Sequence, residues 1–119
     1  MKSILEFDEV FLHRSPVDGR KQLNGLTGII EGGMKLNAFT KGALFVFTNR
    51  AFDTVKVVYW NRTGFALWMT KLEKERFRWP LSNSVDVVTL EPRELEMLLE
   101  GYDIMRVRPH QTLSYSSVY

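Results

Sequence analysis

The residues best equipped for chemistry in this chain lie between Lys41 and Trp79, where cations and aromatic rings alternate. Eight Lys or Arg (Lys41, Arg50, Lys56, Arg62, Lys71, Lys74, Arg76, Arg78) stand there against three acids (Asp53, Glu73, Glu75). All three tryptophans, Trp60, Trp68 and Trp79, fall in the same stretch. Rings stack on bases and cations neutralise phosphates, so this composition suits a nucleic-acid surface. It equally suits a packed β core whose rings are interior and whose arginines cover them. The alternation Arg76-Phe77-Arg78-Trp79 puts two guanidiniums on one side of an extended segment and two rings on the other, and fits both readings. Lys56 interrupts an apolar run, either as a snorkelling side chain or as a phosphate contact.

Catalytic constellations are not legible. The chain has two histidines, His13 and His110, neither with a partner at metal-ligand spacing, and no cysteine. No serine sits in a nucleophile elbow. No Gly-rich loop has the Lys and hydroxyl that together cradle a nucleotide, and Gly32-Gly33-Met34-Lys35 is a turn rather than a phosphate loop. Phosphodiester chemistry needs two or three carboxylates converging on divalent ions. Asp18, Asp53 and Glu73 are the only acids adjoining the basic region that could do so, and Asp18 reads more simply as a helix cap and Asp53 as a hairpin residue. The expectation is a protein that is not an enzyme and uses neither cofactor nor metal.

At 119 residues the chain is long enough for one domain with a substantial core, here read as a core of 10–103 followed by a mobile tail over 104–119. Its net charge of +2 conceals segregation: residues 41–79 sum to +5 and residues 85–103 to −5. Such asymmetry concerns partners rather than fold. It allows a basic face for nucleic acid, an acidic helix for a basic protein, or pairing of the two segments within the fold. Glu6, Asp8 and Glu9 interrupt the apolar core a signal peptide would need, and no apolar run approaches the roughly 20 residues of a membrane span. Together with the lack of cysteine, this points to the cytoplasm and away from a membrane.

Certain elements must position these residues. Val10–His13 reads as a short strand ended by Ser15-Pro16. Asp18 is a candidate N-cap for a helix near 18–31, carried by Leu23, Leu26, Ile29 and Ile30 and stopped by Gly32-Gly33. Ala43–Thr48 and Thr54–Asn61, separated at hairpin length, and Phe65–Thr70, reached through a turn with Gly64 last, predict neighbouring antiparallel strands. Phe77–Trp79 and Val85–Leu90 supply one or two more. In Thr54–Asn61, Val55, Val57 and Tyr59 share one face and Lys56, Val58 and Trp60 the other, as in a central strand covered on both sides. Leu95, Leu98 and Leu99, with Pro92 in the first turn and Gly101 after Glu100, describe an amphipathic helix near 92–100 with an acidic polar face. The predicted fold is α+β, a mainly antiparallel sheet of three to five strands with two packed helices.

One ordered set of motifs adds to this reading. It comprises Asp18-Gly19-Arg20-Lys21-Gln22-Leu23-Asn24-Gly25-Leu26, Leu44-Phe45-Val46-Phe47-Thr48-Asn49-Arg50, Asp53-Thr54-Val55-Lys56-Val57, and Tyr59-Trp60 with Gly64-Phe65. Lys71-Leu72-Glu73, Arg76-Phe77-Arg78-Trp79-Pro80 and Leu95-Glu96-Met97-Leu98-Leu99-Glu100-Gly101-Tyr102-Asp103 complete it. In order and spacing it resembles the second-reading-frame accessory protein, the Orf2-like or TnpB-type protein, of insertion-sequence 66 transposable elements. The resemblance covers about 10–103. Glu75 stands where that family usually has glycine, and Glu91 where a hydroxyl cap is common. The resemblance implies participation in transposition beside a separate transposase. The residues then favour a non-catalytic accessory factor that binds DNA, in particular transposon ends, or assists transpososome assembly. The expected working surface is Arg20, Lys21, Arg50, Lys56, Lys71, Arg76 and Arg78, at motif positions, with Trp60 and Trp79. The alternative is a scaffold whose acidic helix 92–100 docks on the transposase.

Overall fold

Runs of β-branched and aromatic residues become five strands: β1 Glu9–His13, β2 Ala43–Thr48, β3 Thr54–Trp60, β4 Phe65–Lys71 and β5 Val87–Leu90. The computed structural model describes residues 3–81 and 86–107. The strands form one sheet in the order β4-β3-β2-β1-β5. Short connections make β2–β3 and β3–β4 antiparallel hairpins, as the spacing predicts. β1 inserts between β2 and β5, parallel to β2 and antiparallel to β5. Residues 14–42 supply the long crossover that a parallel pair requires.

Both sheet faces are covered, which explains why β2 is buried along its whole length. On one face Val10, Leu12, Leu44, Val46, Val55, Val57 and Tyr59 meet α2, Pro92–Leu99, through Leu95 and Leu98. On the other, Phe45, Phe47 and Val58 meet Leu26 of α1, Leu23–Gly28, and Ile30 beyond it. The β3 alternation therefore holds, with its two faces in two separate cores. β2 is preceded by Gly42, whose φ of +82° and approach to Asp8 leave no room for a side chain: an added Cβ would lie 2.5 Å from the Asp8 carboxylate.

The first helix is shorter than the expected span of 18–31. Residues 17–21 are tied elsewhere: Val17 N–H donates to the Thr48 carbonyl at 2.8 Å, and Asp18 accepts from the Arg20 N–H at 2.9 Å. Asp18 thus closes a local turn and does not cap the helix, whose N-cap is Gln22. After Gly28 the helix widens into a π turn, Ile29–Gly33, with Met34 N–H reaching the Ile29 carbonyl at 2.8 Å. The glycines at 25, 28, 32 and 33 lower helical propensity throughout this region.

α2 matches its expected span. The Glu94 carboxylate accepts the Glu91 N–H at 2.9 Å, so Glu91 and Glu94 do the work of the missing hydroxyl cap. The helix ends with Gly101 at φ +102°, with Tyr102 N–H on the Met97 carbonyl and Gly101 N–H on the Leu98 carbonyl, both at 3.0 Å. Phe77–Trp79 is not a strand. It is an extended segment whose Phe77 N–H donates to Phe52 of the β2–β3 turn, at 2.7 Å, rather than to the sheet. The expected tail also begins later than 104: Ile104–Val107 forms a short helix, α3, and Ile104 is fully buried in the α2-side core. The rest of that expected tail, 108–119, lies outside the described residues, as does Val85 of the expected fifth strand.

Candidate nucleic-acid interface

Three segments meet where β1 and β2 end and β3 begins. The first is the loop 14–22, which pairs Val17 with Asn49 and packs Gly19 against the Asn49 side chain. The second is the β2–β3 turn, 49–53. The Asn49 amide oxygen accepts the N–H groups of Asp53 and Thr54 at 3.2 Å each, and its nitrogen donates to the Asp53 carboxylate at 2.7 Å. Those bonds, with one from the Thr54 hydroxyl, hold the Asp53 carboxyl below the usual carboxylate range. They also support Phe52 at a φ of +58°. The third is the segment 71–81. It hangs on the same turn, through Leu72 N–H to the Asp53 carbonyl at 2.8 Å and Phe77 N–H to the Phe52 carbonyl, and then crosses to β1. There the Trp79 indole N–H donates to the His13 carbonyl at 3.2 Å.

The three segments carry eight Lys or Arg against four Asp or Glu. Arg50, Lys71, Arg76 and Arg78 are exposed and have no ion pair with any described residue; Lys21 is exposed as well. Arg20 is different. Its guanidinium donates to both Asp18 oxygens, at 3.1 and 2.8 Å, which pulls the Asp18 carboxyl far below its ordinary range and raises Arg20 above its own. The ion pairs among the described residues are Asp18–Arg20 and a 3.9 Å contact of Arg14 with Asp86, so neither joins Arg76 or Arg78 to the acidic helix.

The structure brings Arg20, Lys21, Arg50, Lys71, Arg76 and Arg78 to this one end and sets apart the remaining three residues of the expected surface. Lys56 is only 6% exposed, and its ammonium donates to the Gly19 carbonyl at 2.8 Å and the Lys21 carbonyl at 2.7 Å. It neither snorkels nor faces solvent: it ties the basic loop to the sheet. Trp79 is 7% exposed and, with Phe77, belongs to the core, so in this segment the rings point in and the arginines out. Trp60 ends β3 and lies at the opposite end of the sheet, in an aromatic group with Phe39 and Phe65 at centroid distances of 5.0–5.1 Å. Lys41 and Arg62 stand beside it on the wall of a cleft. Neither Phe39 nor Lys41 belongs to any periodic segment, so their approach to Trp60 leaves no trace in the sequence pattern.

No described group of three His, Asp or Glu is arranged to hold a metal ion. His13 lies against Phe47 and its Nδ1 is 2.7 Å from the Ser15 carbonyl, a structural contact. What the described residues offer is a small α+β scaffold with exposed cations gathered at one end of its sheet. Residues 8–109 match the family described as IS66 Orf2 like protein, and the chain belongs to that family. This places it among the Orf2-like accessory proteins of IS66-type insertion sequences. Two relatives from Sinorhizobium fredii (strain NBRC 101917 / NGR234) are similar to it. Uncharacterized protein y4jC is 27% identical over 99 residues, 83% of each chain. Uncharacterized protein y4hO is 34% identical over 70 residues, 59% of each chain. No solved structure matches significantly.

Proposed function

We propose that this protein is a non-catalytic accessory factor of transposition that grips DNA through the basic end of its sheet. Duplex phosphates, including those of transposon ends, are its ligand there. The observation that carries the reading is the convergence of three sequence-distant segments on one end, with Arg50, Lys71, Arg76 and Arg78 exposed and unpaired among the described residues. Long cations on braced loops reach phosphates without disturbing the core, and phosphate contacts position a protein without reading sequence. Family membership supports a role in transposition beside the element's transposase. A transposase-docking role for α2 is supported by one further observation: its apolar side is buried while Arg93 and Glu100 remain exposed and Glu96 half-exposed, so any partner meets a polar, net acidic surface.

The test is a titration of a fluorescent duplex at several salt concentrations, with and without the transposase. Three to five contacts give a slope of about −3 to −4.5 in log affinity against log salt, near −0.9 per phosphate. Arg76→Ala and Arg78→Ala each flatten the slope by about one contact, with stability within about 0.5 kcal/mol of wild type. No binding at about 50 mM salt in either condition overturns the proposal and leaves the docking role of α2.

A further inference from the structure

The other end of the sheet holds a site of different character. A cleft of about 810 Å³ opens beside the end of β3, lined by Tyr59, Trp60, Asn61, Arg62, Phe39 and Lys41 among others. That volume is within the usual range of about 300–1,000 Å³ for sites that take a small organic group. Phe39 keeps 54% of its surface exposed although its ring lies 5.0 Å from both Trp60 and Phe65. Its position is built: Asn37 accepts the Phe39 N–H on its side chain at 2.9 Å and the Thr40 hydroxyl on its carbonyl at 2.6 Å. Arg62 occupies the β3–β4 turn at a φ of +62°, a conformation that favours glycine. Keeping an arginine there costs backbone energy, and Arg62 is among the residues that line the cleft.

No described carboxylate lines the cleft; Asp8 comes near it only by packing on Gly42. An apolar peptide would desolvate Lys41 and Arg62 without offering them a counter-charge. Duplex DNA offers the charge, but its base faces are hidden within the stack. An unpaired strand supplies both a π-face for Phe39 and Trp60 and flanking phosphates for the two cations, and Asn61 can bond a base edge. We infer that this cleft binds a single-stranded DNA segment by stacking an unpaired base on Phe39 and Trp60 between phosphates held by Lys41 and Arg62. This goes beyond duplex binding at the basic end and rests on different residues.

The experiment measures an oligothymidine of about eight nucleotides, a blunt duplex and thymidine monophosphate against the wild-type chain, Phe39→Ala and Arg62→Gly. Phe39→Ala weakens the oligonucleotide about 5- to 150-fold, as loss of one stacked base does, and leaves the duplex unchanged. Arg62→Gly relieves the left-handed residue, so it melts no lower than wild type, yet it flattens the oligonucleotide salt slope by about 0.7. Wild-type affinity for the oligonucleotide in both variants overturns the inference. So does thymidine monophosphate binding as tightly as the oligonucleotide, which marks a free-nucleotide site. A duplex titration indifferent to Arg76→Ala overturns the basic-end proposal alone.

Discussion

The two ends of this sheet use the same residue types in opposite ways. At the basic end, Phe77 and Trp79 are core and only cations reach solvent, mounted on loops braced by Asn49, Lys56 and the Phe52 carbonyl. At the cleft end, Phe39 and Trp60 remain partly open and the cations are few. An end with buried rings can offer charge but no stacking, which suits the paired backbone proposed for it. An end with open rings suits a strand whose bases are free. Composition does not distinguish the ends, because the stretch 41–79 contributes cations and rings to both, joined by Phe39 at one and by Arg20 and Lys21 of the loop 14–22 at the other.

The largest expected effect strikes both ends together and serves as the control for the comparison. Leu98 is fully buried between α2 and the sheet. Leu98→Ala should cost about 2–5 kcal/mol, the usual penalty for emptying a packed site. Urea denaturation measures it. At a temperature where the variant is still folded, duplex and oligonucleotide affinities should both stay at the wild-type level. A selective loss of either would mean that α2 belongs to one of the ends. A melting point within a degree or two of wild type would make α2 peripheral and its leucine stripe a partner surface.

Next in size is Lys56→Met, which acts on the basic end alone. It removes two hydrogen bonds from a charged donor, each worth about 1.5–3 kcal/mol, but also relieves a buried ammonium of its desolvation cost. A net loss of about 1–3 kcal/mol is expected. The diagnostic readout is hydrogen exchange, which should quicken at the Arg20 and Lys21 amides while duplex affinity falls and oligonucleotide affinity holds. If duplex binding fails with exchange unchanged, Lys56 itself touches phosphate and the present division of labour is wrong.

The sheet was legible because hairpin-length spacing and runs of β-branched and aromatic residues are local signals, and β2, β3 and β4 show both. The α2 helix was equally legible, since Pro92, the leucine spacing and Gly101 mark its start, face and end. The insertion of β1 beside β2 depends on a long crossover that leaves no periodic signature. The first helix was overestimated because Asp18 has two local uses, cap and turn, and tertiary bonds to Thr48 and Asn49 decide between them. Of the nine expected surface residues, six cations reach the basic end, five on loops and Lys71 at the last position of β4, where long side chains are free. Lys56 turns inward because β3 is covered on both faces, and Trp79 because the extended segment that carries it packs its rings on the core and bonds its indole N–H to the His13 carbonyl. Trp60 went to the other end simply because β3 runs from one to the other. Phe39 had no pattern to announce it.

The smallest effect concerns Asp18, the acid that separates Arg20 from its neighbours. Its carboxyl, and that of Asp53, have folded values below those of the unfolded chain. Both therefore favour the folded state above about pH 4, and that contribution disappears as pH falls through their folded values. Urea midpoints should fall on acidification below about pH 4, and Asp53→Asn should reduce the fall. The lowered Asp18 carboxyl keeps its charge throughout the neutral range, so Arg20 faces a counter-charge that Arg76 and Arg78 lack and adds less to duplex binding than they do. Asp18→Asn removes the charge but keeps an oxygen for the Arg20 N–H, so the turn persists while the guanidinium is released. Duplex affinity should then rise and the salt slope steepen by up to about 0.9, the contribution of one further phosphate. Oligonucleotide stacking at the cleft should not move. A variant that binds duplex no better than wild type would place Arg20 outside the footprint and confine the basic end to Arg50 and the 71–81 segment.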